Sequence, residues 1–262
     1  MRGVKYIKWG WIFIASLLTA CTLGGRSMDA KALFDPATAA LLENIYRGNE
    51  LKAREALARG VKLNVQGKEG VTPLQWLILE TRDQKAVVLG LTLGADPNFK
   101  NGNGTAAVNM VSGFEDPNWL RIILDAGGDP NLLGGGGQPP IFGAINEERW
   151  DNLNLLLARG ADINLQDKMN MNSALYAAYL NQYEVVYWLL EHGAKIDTYD
   201  KVGVSLAWNV YDSESIMSKD APQRPWLMKV KQALEQKGIR FPPTSPQEVR
   251  ARWEEEKANN PA

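Results

Sequence analysis

Apolar residues recur at helical spacing in a series of short segments, of which WLRIILDAGG (Trp119 to Gly128), LNLLLARGA (Leu153 to Ala161) and EVVYWLLEHGA (Glu184 to Ala194) are the clearest. Each gathers its aliphatic residues at helical spacing and stops on a glycine, the residue best able to take the left-handed conformation that closes a helix. A different kind of segment precedes them, clearest in TPLQWLILE from Thr72. There threonine can cap orphan N–H groups, proline at the first helical position gives up no hydrogen bond, and an apolar run follows. The pattern predicts helix pairs joined by short turns.

The pairs are periodic. Gly60, Gly94, Gly127, Gly160 and Gly193 follow one another at intervals of 34, 33, 33 and 33 residues, and Thr72, Ala106, Pro139, Asn172 and Ser205, the expected first-helix starts, keep the same intervals. After four of these glycines come near-copies of one pentapeptide: GADPN, GGDPN, GADIN and GAKID. Its Asp-x-Asn core suits a polar turn closed by its own side-chain hydrogen bonds. Each unit exposes apolar surface that only its neighbour can cover, so the array is expected to behave as a one-dimensional stack with special end units.

Helix, turn, helix, Gly-Ala-Asp-x-Asn and then a tip leading into Thr-Pro-Leu resembles the ankyrin repeat, whose period is about 33 residues. The resemblance runs from Asp35 to Pro243, with departures at AAVN (Ala106 to Asn109), PPIF (Pro139 to Phe142) and NSAL (Asn172 to Leu175) in place of Thr-Pro-Leu-His. It implies an all-α ankyrin-repeat solenoid of about six helix-turn-helix units with short β-hairpin or loop tips and degenerate caps at both ends. Repeat one, Pro36 to Asn64, lacks the Thr-Pro start, and the interval from Gly193 to Gly238 is 45, an excess of 12 over the period. The excess falls at DSESIMSKDAPQRP (Asp212 to Pro225), expected as a polar loop between the last two helices of the array. SPQEVRARWEEEK (Ser245 to Lys257) has a capping serine, proline at the first helical position and helix-forming residues, and predicts one more helix. The expected division is therefore 1–20, 21–35 as a linker, 36–243 as the repeats, and 244–262 as a helix and tail.

The first residues change the setting in which such an array would work. Arg2, Lys5 and Lys8 precede twelve uncharged residues from Trp9 to Ala20, too short a stretch to cross a bilayer but suited to a secretory signal. Leu18-Thr19-Ala20-Cys21 resembles the bacterial lipobox, which implies acylation of Cys21, the one cysteine in the chain, and removal of residues 1–20. With Thr22 after the cysteine, rather than the aspartate usual for inner-membrane retention, the resemblance implies an outer-membrane anchor facing the periplasm. Without residues 1–20 the chain carries 26 basic against 30 acidic groups, a formal charge of −4, which offers nucleic acid no basic excess.

Candidate chemistry is sparse. His192 is the only histidine and sits at a helix end, where the dipole favours it; a general base would need a nucleophile and an orienting acid beside it. Gly134 to Gly137 lacks the Lys-Ser/Thr of a phosphate-binding loop and is expected as a pliable tip. Glu147-Glu148 and Asp125 with Asp129 are expected as solvated faces. No cofactor, metal or catalysis is expected.

What remains is surface, and in ankyrin-like stacks the tips and first helices line a concave groove that binds folded proteins. Carried over by alignment, the tip residues are Lys68, Glu69 and Val71, then Asn103 and Thr105, then Lys168, Met169 and Met171. The first-helix residues are Leu79, Glu80, Phe114, Asn146, Glu147 and Tyr179, with Trp76, Met110 and Tyr176 bordering the core. Aromatic residues and methionine are unusual at wet tips and enriched in interface cores. Trp119, Trp150 and Trp188, in or beside second helices, are expected in the core. The expected partner is a protein. A narrower resemblance, to small envelope-anchored repeat lipoproteins that act as immunity proteins, implies a periplasm-delivered toxin such as a type VI secretion phospholipase effector. The other reading is a non-catalytic envelope scaffold or assembly protein.

Overall fold

A computed structural model describes residues 29–259. Among them a short helix α1 (Ala30–Leu33) is followed by six helix pairs and a final helix. The pairs are α2 (Pro36–Tyr46) with α3 (Glu50–Ala58), α4 (Pro73–Trp76) with α5 (Gln84–Thr92), and α6 (Ala107–Val111) with α7 (Asn118–Asp125). They continue as α8 (Pro140–Asn146) with α9 (Trp150–Ala158), α10 (Ser173–Tyr179) with α11 (Tyr183–Glu191), and α12 (Leu206–Ile216) with α13 (Arg224–Gln236), before α14 (Pro246–Asn259). The signal segment and Cys21 lie outside the described residues.

The helix starts follow the sequence signals, and also survive their absence. The Thr72 hydroxyl accepts from Gln75 N at 3.2 Å, the Asn172 side chain from Leu175 N at 3.0 Å and the Ser205 hydroxyl from Trp208 N at 3.1 Å. Ala106 has no oxygen to offer, yet Asn109 reaches back to accept its N–H at 3.1 Å. Ahead of α2, Asp35 accepts from Ala37 N and Thr38 N and from the Thr38 hydroxyl, which, as the largest influence, holds its carboxyl below the usual range. The five motif glycines stand at φ between 85° and 102°, and the N–H after each reaches back five residues, as in Ala161 N to Leu156 O at 2.9 Å.

The single interval of 34 has a structural counterpart. From Thr72 to Gly94 is 22 residues, whereas from Ala106 to Gly127 is 21, so the additional residue lies inside repeat two. There α4 runs on as a π turn, Leu77–Thr81, which widens the helix to absorb one inserted residue before Arg82 turns left-handed at φ 50°.

First helices pack on first helices along α6, α8, α10 and α12, and second helices meet at α5 with α7 and α11 with α13. One continuous core results, including Leu42, Ile78, Ile123, Phe142, Leu153, Val186 and Val230, each at most 1% exposed. A ladder of asparagines ties successive turns. Asn64, Asn98, Asn131 and Asn164 each donate to the closing glycine's carbonyl of the next unit (Gly94, Gly127, Gly160 and Gly193, at 2.9 to 3.4 Å). Each also accepts the N–H two residues beyond that glycine, at 2.7 to 2.8 Å. The expected Asp-x-Asn turns form too, with Asp96, Asp129 and Asp162 each accepting at 2.8 Å from the asparagine's own N–H.

Two expectations need correction at the ends. The end of the expected 21–35 linker is structured: α1 buries Ala30 and Leu33, and Phe34 follows at 7% exposure, because these apolar side chains cover the open flank of repeat one. Half of the polar stretch 212–225, expected as a loop, is helical, and the loop itself spans only 217–223. Helix α12 runs to Ile216 and α13 starts at Arg224, whose guanidinium donates to the Glu214 and Met217 carbonyls at 2.8 Å, while Lys231 pairs with Glu214 at 2.7 Å. Most of the excess residues thus lengthen two helices.

Candidate protein-binding face

Between one second helix and the next first helix the chain makes a tight tip, five times over. Each is closed by a backbone bond across four residues: Gly67 N to Val71 O, Asn101 N to Thr105 O, Gly134 N to Gln138 O, Asp167 N to Met171 O and Asp200 N to Val204 O, all 2.7 to 3.0 Å. Among the described residues no strand forms; a lone bridge pairs Tyr199 with Ser205, so the tips are turns and not extended hairpins. Neighbouring tips are joined directly by Gly102 N to Gly70 O and Lys201 N to Met169 O, both 3.0 Å.

Three tips are held from within by a side chain. One oxygen of Asn101 accepts from Asn103 N and Thr105 N, of Asp167 from Met169 N and Met171 N, and of Asp200 from Val202 N and Val204 N, all at 2.8 to 2.9 Å. The two aspartates are buried, at 8% and 2% exposure. Asp200 also accepts the Tyr179 hydroxyl at 2.5 Å, which ties the end of α10 to the next tip. Loss of water pushes the Asp167 carboxyl above its ordinary range, against the pull of its two N–H bonds and of Lys201. A carboxyl whose folded pKa is raised weakens the fold when ionised, and stability is regained as pH falls through that raised value. Asp167→Asn keeps an oxygen for both N–H groups, as Asn101 does two tips earlier. It is expected to melt above the wild type at pH 7, with the advantage shrinking towards acid in a pH series of thermal unfolding.

At the apex of the five tips stand Glu69, Asn103, Gly136, Met169 and Val202. The first two are polar and exposed, and the last two are apolar and exposed, Met169 at 44% and Val202 at 48%. Lys68, Lys168 and Lys201 are exposed beside them, and Val71, Thr105 and Met171 are half-buried at the tip bases. Tyr179, 39% exposed, is tied by its Asp200 bond to the tip that carries Val202, and that tip is joined to the one that carries Met169 and Met171. Tyr176 is half-buried, stacked on Phe142 with ring centroids 4.1 Å apart. Burial, and then Asp167 and Glu147, push its hydroxyl up to about 12.

Other sequence-derived candidates lie elsewhere. Helix α6 ends at Val111, so Phe114 falls in the loop towards α7, half-buried edge-on to Trp119 at 6.2 Å, and its carbonyl accepts from Asn152 at 2.9 Å. Asn146 ends α8 and donates to Glu147 at 2.7 Å, also at the end away from the tips. Leu79 and Glu80 belong to the π turn, and Glu80 and Trp76 line a separate cleft of about 780 Å³ with Phe34 and Tyr46. Val202, Lys201, Asp167 and Asp200 escaped the sequence reading of the site. The signal was present, since Lys201-Val202 repeats Lys168-Met169 at the period of 33. Trp150 and Trp188 meet edge-on at 6.0 Å, half-buried against the core. The Trp188 carbonyl accepts from His192 Nδ1 at 2.7 Å, which gives the histidine a local structural role. No cluster of three or more potential metal ligands occurs among the described residues, and none of their helices is long and apolar enough to cross a membrane.

The stack defines the class: an ankyrin-repeat fold, a scaffold for protein–protein interaction. The family profile of ankyrin repeats, in three copies, matches residues 106–200. The crystal structure of the ankyrin repeat domain of Bcl-3, a member of the IkappaB protein family, is similar over 72% of this chain and 84% of that one, at 25% identity and a TM-score of 0.61. No curated protein matches significantly in sequence. The chain carries ankyrin repeats.

Proposed function

We propose that this protein is a lipid-anchored envelope protein that holds another protein on its tip face and performs no catalysis of its own. The observation that carries the binding reading is the exposure of Met169 and Val202 on tips of a kind normally polar, with Tyr179 exposed on α10 and bonded to the second of those tips. Exposed apolar groups cost solubility unless a partner covers them, and methionine and tyrosine serve interface cores well. The anchor rests on the lipobox resemblance at Cys21. A tether at the outer membrane, facing the periplasm, suits an immunity protein that occludes the active-site mouth of a toxin delivered there, such as a type VI secretion phospholipase effector.

Two measurements test this. Cys21→Ala, expressed with a conventionally cleaved secretory signal in place of residues 1–20, is expected to move the protein from the membrane fraction to the soluble periplasm, since acyl chains and not the folded domain supply the attachment. Expression of the wild-type protein is expected to protect cells from a periplasmically targeted lipase encoded beside its gene, and Met169→Asp to abolish protection. Protection that survives Met169→Asp would remove the tip face from the account.

A further inference from the structure

The five tips share one closing backbone bond but not one surface. Reading the apex from repeat two to repeat six gives Glu69, Asn103, Gly136, Met169 and Val202, a passage from polar through side-chain-free to apolar. The position before each apex reads Lys68, Gly102, Gly135, Lys168 and Lys201. The last two tips therefore present exposed ammonium groups beside exposed apolar groups. Their carboxylates, Asp167 and Asp200, are turned inward to the N–H groups of their own tips, and Asp200 also to Tyr179. A contacting molecule meets Lys168 and Lys201 directly and the aspartates only at a distance.

Gly136 adds an edge to this patch. Its neighbours are glycine for internal reasons: a Cβ on Gly135 would stand 2.5 Å from the Asn103 carbonyl oxygen, and one on Gly137 2.6 Å from the Lys168 side chain, which leans across it. A Cβ on Gly136 would meet nothing within 4 Å. Nor does the turn demand glycine there, because Glu69 holds the same place in the matching turn of repeat two at φ 59°, against 75° for Gly136. The missing side chain leaves room above the backbone, beside Lys168 and before Met169.

We propose that the tips of repeats four to six form the docking surface for an acidic, extended segment of a protein partner. The segment crosses over Gly136, sets its carboxylates against Lys168 and Lys201, and seats a bulky apolar side chain among Met169, Val202 and Tyr179. This rests on the reading of the tip face as the binding face. Charge complementarity fixes the partner's sign, and the apolar patch fixes its anchor.

The test uses the full chain and a displayed library of random peptides, with affinities of the selected peptides measured by titration. The selected sequences are expected to place an aromatic or large aliphatic residue next to Asp or Glu. Binding is expected to weaken by about tenfold or more in Lys168→Glu/Lys201→Glu, in Met169→Asp and in Gly136→Glu, with unchanged circular dichroism. Added salt is expected to weaken binding to the wild type and to affect the double lysine variant far less. Binding lost in Met169→Asp but indifferent to the lysine and glycine changes would overturn the acidic segment and leave the face standing. Peptides indifferent to all three changes would overturn both, and selection of none would overturn the segment. A concentration-dependent dimer abolished by Met169→Asp in sedimentation would assign the face to a second copy and overturn the proposal.

Discussion

Phe142→Ala is expected to cost about 3–5 kcal/mol and to loosen the cooperativity of unfolding. The side chain is 1% exposed, and its ring lies nearly parallel to Tyr176 of the next repeat, at 15° and 4.1 Å between centroids. Truncation removes the transfer energy of a large ring, leaves a cavity beneath α10, and strips Tyr176 of its partner across the boundary. In a linear stack each repeat is stabilised mainly by its neighbours, so weakening one boundary divides the array. Urea unfolding followed by far-ultraviolet circular dichroism and tryptophan emission is expected to show a lower midpoint and transitions that no longer coincide. Tyr176→Phe, which keeps the stacked ring, is the control and should stay within about 1 kcal/mol of the wild type. A single transition displaced by less than that in Phe142→Ala would refute the boundary as a coupling point.

Asn131→Leu is expected to cost about 2 kcal/mol, although the side chain is not in the core. Its amide donates to Gly160 O at 2.9 Å and accepts from Asp162 N at 2.7 Å, so one side chain satisfies two backbone groups of the next repeat. Leucine matches it in size and offers neither bond. Both groups lie near solvent, which limits the loss to the net value of two hydrogen bonds. Asp197 holds the corresponding place in GAKID. A carboxylate there has no N–H to donate to a following carbonyl, so Asp197→Ala should shift stability by less than about 0.5 kcal/mol. Equal losses at Asn131 and Asp197 in thermal unfolding would sink the ladder as a source of cohesion.

How far each of these features could be read beforehand depends on the range of the interaction behind it. Helix starts at Thr72, Asn172 and Ser205, and helix ends at the motif glycines, depend on bonds within a few residues, and local sequence carries them. Phe114 was misplaced because α6 is shorter than its alignment suggested, and the sequence does not show how tightly a loop closes onto Trp119. The stretch 212–225 is largely solvated, as its polarity implies, but only 217–223 is a loop, because Arg224 and Lys231 bind Glu214 and Met217 across the connection and hold the helix ends on either side. Val202 falls at the same period as Met169, in a repeat whose closing interval of 45 departs from the rest of the array.

By itself the sequence determined the unit, its length, the number of copies and the fold class, because periodic apolar faces with glycine stops permit little else. Only the tertiary structure decided that the motif asparagines bind the following repeat, that two tip aspartates are buried while their neighbouring lysines face outward, and that the inserted residue of repeat two widens a helix. The asparagine bonds span segments about 30 residues apart, and even the local features take the roles they do according to which neighbour the packing of the stack brings within reach.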